Sequence, residues 1–258
     1  MSYETINIYK NSQIGEIELN RPESYNTFST ELAIELNEAL MELDETSNVR
    51  VIILKGKGES FCAGIDVTEH RDKSAYEYKE WVELMEKPFT TIANMKKPVI
   101  ASVHGHAVAN GIGLVAASDL AVATKNAKLG ATAVNIGLFC MGPAIPLYKS
   151  LGRKRTLELV LTGKIIDGEK AEEIGLVNHA VPKKELSEET NKLAEKLTNK
   201  SPKALQMGKK AFYNQEDIPY EEALKYSNET FARLCTTDDA EEGVNAFLEK
   251  RDPEWKKE

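Results

Sequence analysis

The chain has 258 residues, of which 41% are hydrophobic and 29% are charged, and its formal net charge is -8. This length allows a substantial core, either in one large α/β domain or in one domain with a smaller appendage, and the acidic balance argues against general nucleic-acid binding because duplex phosphates attract basic surfaces. Three cysteines without CxxC spacing favour reduced thiols in an intracellular protein over a disulfide framework or a zinc site. The N-terminal segment lacks the apolar core of a signal peptide and no window approaches about 18 uninterrupted apolar residues, so we predict a cytoplasmic protein without a membrane span.

The first half of the chain alternates between strand-like and helix-like patterns. β-Branched apolar runs bounded by turn residues predict strands, and apolar residues three or four apart predict helices. The predicted elements are, in chain order, a hairpin of strands at 3–9 and 13–20, a helix at 29–45 capped by Ser29 or Thr30, a strand at 49–56, a helix at 74–95, a strand at 97–105, a short helix from about 110 and a strand at 119–124. This succession predicts a mostly parallel sheet with crossover connections.

The second half of the chain, from about residue 143, is predominantly helical. The predicted elements are helices at 151–163, 167–175 and 185–200, with Gly163 and Gly175 as C-caps, a short strand at 177–182, and further helices at about 201–216, 219–235 and 238–250. We therefore predict an α/β core over residues 1–195 and a C-terminal helical region over residues 196–258. Such a region usually covers the core or makes subunit contacts.

Two glycine-bearing loops, SFCAGIDV (60–67) and HGHAVANGIGL (104–114), each follow an apolar strand of the parallel type. Open α/β sheets bind ligands at such strand ends, and small residues let a ligand reach main-chain N–H groups. A helix beginning near Asn110–Gly111 would direct its positive end at that ligand. Two amides converging on one oxygen would form an oxyanion hole, with each donor contributing about 3 kcal/mol, whereas the alternative is that the glycines only permit tight turns. Neither loop matches a dinucleotide or P-loop motif.

Five segments together carry a family resemblance: LNRPESYNTFS (19–29), SFCAGIDV (60–67), KKPVIASVHGHAVANGIGLVAASDLAVAT (96–124), LGRKRTLELVLTGKIIDGEKAEEIGLVNHAVP (151–182) and GVNAFLEKR (243–251). In order and spacing the chain resembles the crotonase (enoyl-CoA hydratase/isomerase) superfamily over essentially its whole length. NIGLFC (135–140) resembles its enoyl-CoA hydratase domain-containing subgroup. The resemblance implies an α/β, crotonase-like (ClpP/crotonase) ββα-superhelix core that binds acyl-CoA thioesters. It also implies that the backbone amides of Ile65 and Asn110, beside Gly111, stabilise an enolate oxygen.

The resemblance further implies where coenzyme A binds. The residues it assigns to the coenzyme A pocket are Ser24, Tyr25, Asn26, Thr27, Ala63, Ile65 and Asp66. Phe247 and Lys250 match a pair that in some relatives reaches the coenzyme A of a neighbouring subunit, and the alternative for Lys250 is a solvated helix face. Relatives assemble as trimers or dimers of trimers through their C-terminal helices, so a homotrimer or homohexamer is expected. No cofactor is implied beyond the coenzyme A of the substrate.

The chain departs from the family at the catalytic positions. By resemblance, hydratases hold their two glutamates where this sequence has Gly113 and Ala133, and neither residue can transfer a proton. The segment ATAVNIGL (131–138) contains no acid that could serve an isomerase. Dienoyl-CoA isomerases and aryl-CoA dehalogenases place an aspartate where Met141 lies. The usual proton-transferring groups are therefore expected to be absent.

Several polar residues near these loops have both a catalytic and a structural interpretation. His104 and His106 would share one face of an extended strand, but no third ligand accompanies them, so no metal site is predicted. His106 could act as a relocated base or could be a buried, hydrogen-bonded histidine. Asn135 could position a water or a carbonyl, or could end a turn or strand.

Other candidates carry the same ambiguity. Cys140 could be a nucleophile only beside a base or a cation, and otherwise is a small buried residue. Glu69 and His70 could cover the acyl group or could form a solvated helix start. Asp66 and Asp119 are expected to accept hydrogen bonds from loop and strand-end N–H groups.

Three functions remain open on the sequence. The first is an acyl-CoA enzyme of the enoyl-CoA hydratase or isomerase type that polarises the thioester carbonyl. The second is enolate chemistry without a carboxylate, such as decarboxylation of a malonyl-type CoA, in which the departing CO₂ generates the enolate. The third is an acyl-CoA-binding protein that has kept the fold and lost catalysis.

Overall fold

The structure, a computed structural model, describes residues 3–255. The strands among these residues are β1 (Ile6–Asn11), β2 (Ile14–Leu19), β3 (Val51–Gly56), β4 (Val99–Val103), β5 (His106–Val108), β6 (Leu120–Thr124), β7 (Lys128–Gly130), β8 (Ile165–Ile166) and β9 (His179–Val181). The α-helices are α1 (Thr30–Glu45), α2 (Ala75–Asn94), α3 (Asn110–Ala117), α4 (Met141–Thr162), α5 (Gly168–Glu173), α6 (Leu186–Thr198), α7 (Pro202–Gln215), α8 (Tyr220–Cys235) and α9 (Asp238–Glu249).

The larger sheet has the strand order β1-β2-β3-β4-β6-β9. β1 and β2 form the predicted antiparallel hairpin, and every other neighbouring pair in this sheet is parallel. β3 and β4 are almost entirely buried because their apolar runs are covered on both faces, which is typical of parallel strands. The mostly parallel sheet predicted from the sequence is confirmed.

The chain leaves this sheet at Gly105, and the prediction of one strand over 97–105 needs a correction there. β4 ends at Val103, Gly105 has a φ of +58°, and β5 then enters a second sheet of order β5-β7-β8. A Cβ on Gly105 would overlap the Glu59 carbonyl oxygen, so the turn requires glycine. His104 and His106 therefore do not share one face of a strand.

The helices of the first half pack as their apolar spacing predicts. The Ser29 hydroxyl caps α1 by accepting a hydrogen bond from the Leu32 N–H. The predicted apolar face of α1 is fully buried and consists of Leu32, Leu36, Leu40 and Leu43. Ser74 and Glu77 form a capping box at the start of α2, which packs against α1 and α3.

The predicted helices of the second half are present, but α4 begins at Met141, before the predicted start at residue 151, and its backbone leaves helical geometry at Gly152. Gly163 follows α4 and Gly175 follows α5 in left-handed backbone, as predicted for C-terminal glycines. α6 packs on the larger sheet, and the predicted division at residue 195 lies within this helix and stays a prediction. Among residues 3–255, no helix is long and apolar enough to cross a bilayer.

Candidate functional site

Three segments meet at the carboxyl ends of the parallel strands. The Phe28 N–H donates to the Gly64 carbonyl at 2.7 Å, and the Asp66 N–H donates to the Phe28 carbonyl at 3.0 Å. On the other side of the loop, the Cys62 N–H donates to the His106 carbonyl at 2.9 Å. The loop after β3 is therefore held between the segment that precedes α1 and strand β5.

Close glycine contacts bring the loop that carries Ile65 against the start of α3. A Cβ on Gly64 would lie 2.9 Å from the Ala109 Cβ, and Gly64 has a φ of +92°. A Cβ on Gly111 would overlap the Cys62 carbonyl oxygen. Ile65 and Asn110 each follow one of the touching residues, so the structure brings the two predicted amide donors into adjacent turns.

Both predicted amides are free to donate. Within residues 3–255, neither the Ile65 N–H nor the Asn110 N–H donates a hydrogen bond. The neighbouring Phe28 and Asp66 amides are engaged with each other's segments, and the first N–H groups of any helix lack intrahelical acceptors. The arrangement thus supplies two unpaired backbone donors from two separate loops.

The backbone at the start of α3 is strained. Ala109 has φ 48° and ψ −111°, a conformation that costs a non-glycine residue about 1–3 kcal/mol. Two hydrogen bonds hold it, from the Ala109 N–H to the Gly130 carbonyl at 2.9 Å and from the Gly113 N–H to the Ala109 carbonyl at 3.1 Å. These bonds fix the direction in which the next amide, that of Asn110, points.

The Asn110 side chain adds a polar group to this crowded turn. The residue is 7% exposed, and its side-chain amide makes no hydrogen bond within the described residues. The amide nitrogen and oxygen of Asn110 keep contact with solvent, because they are not among the buried side-chain polar atoms that lack a partner within the described residues.

Gly113 lies on α3 with no room beside it. A Cβ there would lie 2.8 Å from the Phe89 Cζ and 3.0 Å from the Pro143 Cβ. The space into which a longer side chain would grow is therefore occupied by Phe89 of α2 and Pro143 of α4. Ala133 lies on a short 3₁₀ helix, Thr132–Ile136, and is partly buried against the core.

The two histidines make separate contacts. His104 Nε2 lies 2.9 Å from the Gly58 carbonyl oxygen, and burial lowers the pKa of this imidazole. His106 Nδ1 lies 3.2 Å from the Ser60 hydroxyl. Among the described residues, no group of three or more histidine, cysteine, aspartate or glutamate side chains is placed to hold a metal ion.

The contacts of Asn135 and the burial of Cys140 fit structural roles for both residues. The exposed Asn135 donates from Nδ2 to the Gly163 carbonyl at 3.1 Å, which satisfies a backbone acceptor at the end of α4. Cys140 is buried, and burial raises the pKa of its thiol. The thiol is therefore less nucleophilic at neutral pH than a free cysteine.

The two acidic residues after Ile65 tie the loop to the segment before α1. Burial alone would raise the pKa of Asp66, but hydrogen bonds from Thr68 and Arg21 hold it below its usual value. Glu69 accepts from the Thr30 N–H at 3.0 Å at the start of α1. Glu69 is therefore tied to the start of α1 and is not a solvated helix start, and its proposed place over an acyl group stays a prediction.

The residues assigned to coenzyme A fall into two places. Tyr25 is exposed, whereas Asn26 is fully buried and bonds to the Arg21 N–H and to the Lys57 and Ser60 carbonyls. Both residues belong to the first of these places, which combines the segment before α1 with the loop after β3. Its other members are Ser24, Thr27, Ala63, Ile65 and Asp66. Phe247 and Lys250 lie at the end of α9, which packs on α7 and α8.

One carboxylate beside the site was not predicted from the sequence. Glu86 lies on α2 one turn before Phe89, and a Cβ on Gly142 would overlap its carboxylate. Helical periodicity places such a glutamate on a solvated face, and only the tertiary contact with α4 reveals its position.

A groove of about 490 Å³ lies at the opposite, amino-terminal ends of β3 and β4. It contains none of the predicted site residues and not Glu86.

Comparison with known proteins gives consistent matches over the whole chain. The family model described as enoyl-CoA hydratase/isomerase matches residues 9–258. Human enoyl-CoA hydratase domain-containing protein 3, mitochondrial, is 33% identical over 246 residues, which cover 95% of this chain and 81% of that protein. The crystal structure of that human protein superimposes with a TM-score of 0.93 at 32% identity and covers 98% of this chain and 100% of that one. The crystal structure of an enoyl-CoA hydratase from Mycobacterium smegmatis has a TM-score of 0.95 at 37% identity and covers 98% of this chain and 99% of that one.

Proposed function

Because the chain belongs to the enoyl-CoA hydratase/isomerase family, we propose that it binds an acyl-CoA thioester and polarises the carbonyl with the backbone amides of Ile65 and Asn110. The fold is crotonase-like, as the sequence predicted, and the chain lies near the enoyl-CoA hydratase domain-containing subgroup. The family is one of acyl-CoA enzymes, and the reaction that this chain performs is the subject of the proposal.

The observation that carries the proposal is the pair of unpaired N–H groups on adjoining loops. Each amide would donate to the thioester oxygen, which gains negative charge when the α-carbon loses a proton or, in a decarboxylation, CO₂. Such a donor typically contributes about 3 kcal/mol to the stability of the charged intermediate. The rigid Gly64 and Gly111 contacts hold the donors in place before the substrate arrives.

The proposed substrate site extends from this pair toward the segment before α1. Tyr25, Ala63 and Asp66 adjoin the Ile65 turn, and we assign the coenzyme A moiety to this side. We also propose that the protein forms a homotrimer or homohexamer in the cytoplasm. In that assembly Phe247 and Lys250, at the end of α9, would reach the coenzyme A of a neighbouring subunit. The proposed chemistry needs no cofactor beyond the coenzyme A that the substrate carries.

Calorimetry with a matched pair of ligands tests the proposal. Butyryl-CoA has the thioester carbonyl, and its thioether analogue has a methylene in its place. We expect butyryl-CoA to bind at least about 5-fold more tightly, because the loss of one ordinary hydrogen bond costs about 0.5–1.5 kcal/mol and two are lost. Equal affinity for the two ligands, or no affinity for either, would overturn the proposed role of the amides.

Turnover then identifies the reaction. Crotonyl-CoA, a 3-enoyl-CoA and a dienoyl-CoA test hydration and isomerisation, which we propose as the reaction class. Release of CO₂ from methylmalonyl-CoA without turnover of the enoyl substrates would instead assign decarboxylation. Tight thioester binding with no reaction across this panel would leave a binding protein.

A further inference from the structure

Helix α2 places a carboxylate against the start of α4. A Cβ on Gly142 would overlap the Glu86 carboxylate and lie 2.9 Å from the Glu86 Cγ. Any other residue at Gly142 would therefore displace this side chain. The absence of a Cβ at residue 142 lets the carboxylate lie directly on the backbone of the first turn of α4.

This carboxylate has no protein partner. Within residues 3–255, Glu86 makes no hydrogen bond and no ion pair, although it is partly buried. Other partly buried acids near the site, such as Asp66 and Glu69, are each held by several donors. A carboxylate that loses solvent without gaining a partner costs stability, and such groups concentrate at functional sites.

The position of Glu86 relates it directly to Gly113. Glu86 and Phe89 are three residues apart and lie on one face of α2. Phe89 and Pro143 fill the space beside Gly113, while Glu86 contacts Gly142, the residue before Pro143. The carboxylate therefore adjoins the position at which α3 lacks an acid, and it approaches from a different helix.

We propose that Glu86 is the general base of this protein, which moves the α-proton of the bound thioester in place of the acids that Gly113 and Ala133 cannot supply. This inference rests on the proposed function. The Glu86 carboxylate takes the α-proton, the electron pair of the C–H bond becomes the C=C bond of the enolate, and the carbonyl π pair moves to the oxygen held by the Ile65 and Asn110 amides. Return of a proton from the Glu86 carboxyl to carbon reverses the step or completes an isomerisation.

The electrostatic surroundings favour this role. Burial first, and then the nearby carboxylate of Glu83, raise the pKa of Glu86 above its usual value. A carboxylate with a raised pKa is a stronger base, and its conjugate acid persists closer to neutral pH. α4 presents the backbone of Gly142 to Glu86 rather than an ionised side chain.

Exchange of the α-protons of bound butyryl-CoA in D₂O, followed by NMR, tests the inference together with calorimetry. The wild-type protein should bind butyryl-CoA and exchange its α-protons. Glu86→Gln should bind with similar affinity and exchange about 10²–10⁴-fold more slowly, which is the usual contribution of a positioned base. Glu80→Gln, on the exposed face of the same helix, should match the wild type.

Gly142→Ala provides an independent perturbation, because it displaces the carboxylate without removing it. We expect this variant also to bind and to exchange at least about 10-fold more slowly. Unchanged exchange in Glu86→Gln, or binding by the wild type without any exchange, would overturn the role of Glu86 and leave the proposed amides intact. Failure of the wild type to bind butyryl-CoA would overturn the proposed function itself, and the inference with it.

Discussion

Two glycines let the loop after β3 and the start of α3 approach closely enough to present both amides. At Gly111 the obstacle to a side chain is the Cys62 carbonyl, which is backbone and is fixed by the Val108 N–H at 3.0 Å. At Gly64 the obstacle is Ala109, and the positive φ adds strain to any substitution. The residue type at these positions therefore decides how closely the two loops that carry the proposed donors can approach each other.

Replacement of Gly111 by alanine should lower the free energy of unfolding by about 1–3 kcal/mol, as overpacking typically does, because the Cys62 carbonyl must move. Urea denaturation measures this change. The matched control is Gly208→Ala in the interior of α7, where no atom lies within 4 Å of the added Cβ. That control should be stabilised by about 0.4–1 kcal/mol, and changes of the same sign in both variants would contradict the account.

Glu86 makes stability depend on pH in a predictable direction. The pKa of Glu86 is higher in the folded state than its usual value of 4.5. The ionised carboxylate therefore destabilises the fold at neutral pH, and this destabilisation disappears as the pH falls below 4.5 and the group is protonated in both states. Glu86→Gln should therefore be more stable than the wild type at pH 7, with the difference vanishing near pH 4. Thermal unfolding at the two pH values measures this, and a less stable variant at pH 7 would show that the carboxylate has a partner.

Among the elements, the spacing of apolar residues predicted most strands and helices. Contacts between residues distant in sequence determine where the side chains of these elements lie. The α1 face and its Ser29 cap followed from spacing and residue type alone. The transfer of the chain between sheets at Gly105 depends on the Glu59 carbonyl, which is distant in sequence. The position of Glu86 likewise depends on a tertiary contact, because nothing in the spacing of α2 encodes its approach to Gly142.

An ion pair fixes α7 to the start of β6 and illustrates how buried charges join elements. Asp119 accepts from the Lys209 Nζ at 2.7 Å, from the Tyr213 hydroxyl at 3.0 Å and from the Val99 N–H at 2.7 Å. The prediction that Asp119 holds a strand-end N–H is confirmed, while its two partners on α7 could not be anticipated. Burial lowers the pKa of Lys209, and Asp119 opposes that effect.

Asp119→Ala should lower the free energy of unfolding by about 3–5 kcal/mol, because it leaves the Lys209 ammonium buried without its partner. Chemical denaturation measures the loss. Glu188→Ala, which removes an exposed partner of Lys192, should leave the free energy of unfolding nearly unchanged and serves as the control. Similar small losses in both variants would show that the Asp119–Lys209 ion pair does not stabilise the fold as we expect.

At the scale of the whole molecule, the C-terminal helices carry apolar side chains that the single chain leaves uncovered. The exposed members on α8 and α9 are Tyr220, Leu224, Phe231, Val244, Phe247 and Leu248. Exposed apolar side chains in such number are typical of helices that pack against a partner, and the family resemblance implied that these helices make subunit contacts. The pattern of residues could indicate such a face, but the number of subunits depends on the geometry of their pairing.

Light scattering in solution should give a mass of three or six times the 28.7 kDa chain. Burial of these apolar side chains between copies would supply the driving force. Phe247→Asp should lower the assembled fraction, whereas Lys200→Asp, a substitution at an exposed position that precedes α7, should not. A monomeric wild-type protein at micromolar concentration would contradict the assembly.

If two backbone amides polarise the thioester carbonyl, the stretching frequency of that carbonyl reports it directly. Infrared difference spectra of butyryl-CoA labelled with ¹³C at the carbonyl should show a lower frequency when bound than in water. Asn110→Gly should retain the shift, because the donor is the main-chain N–H and not the side chain. A bound carbonyl at or above its frequency in water would contradict the account, and a shift lost in Asn110→Gly would assign the donor to the Asn110 side chain.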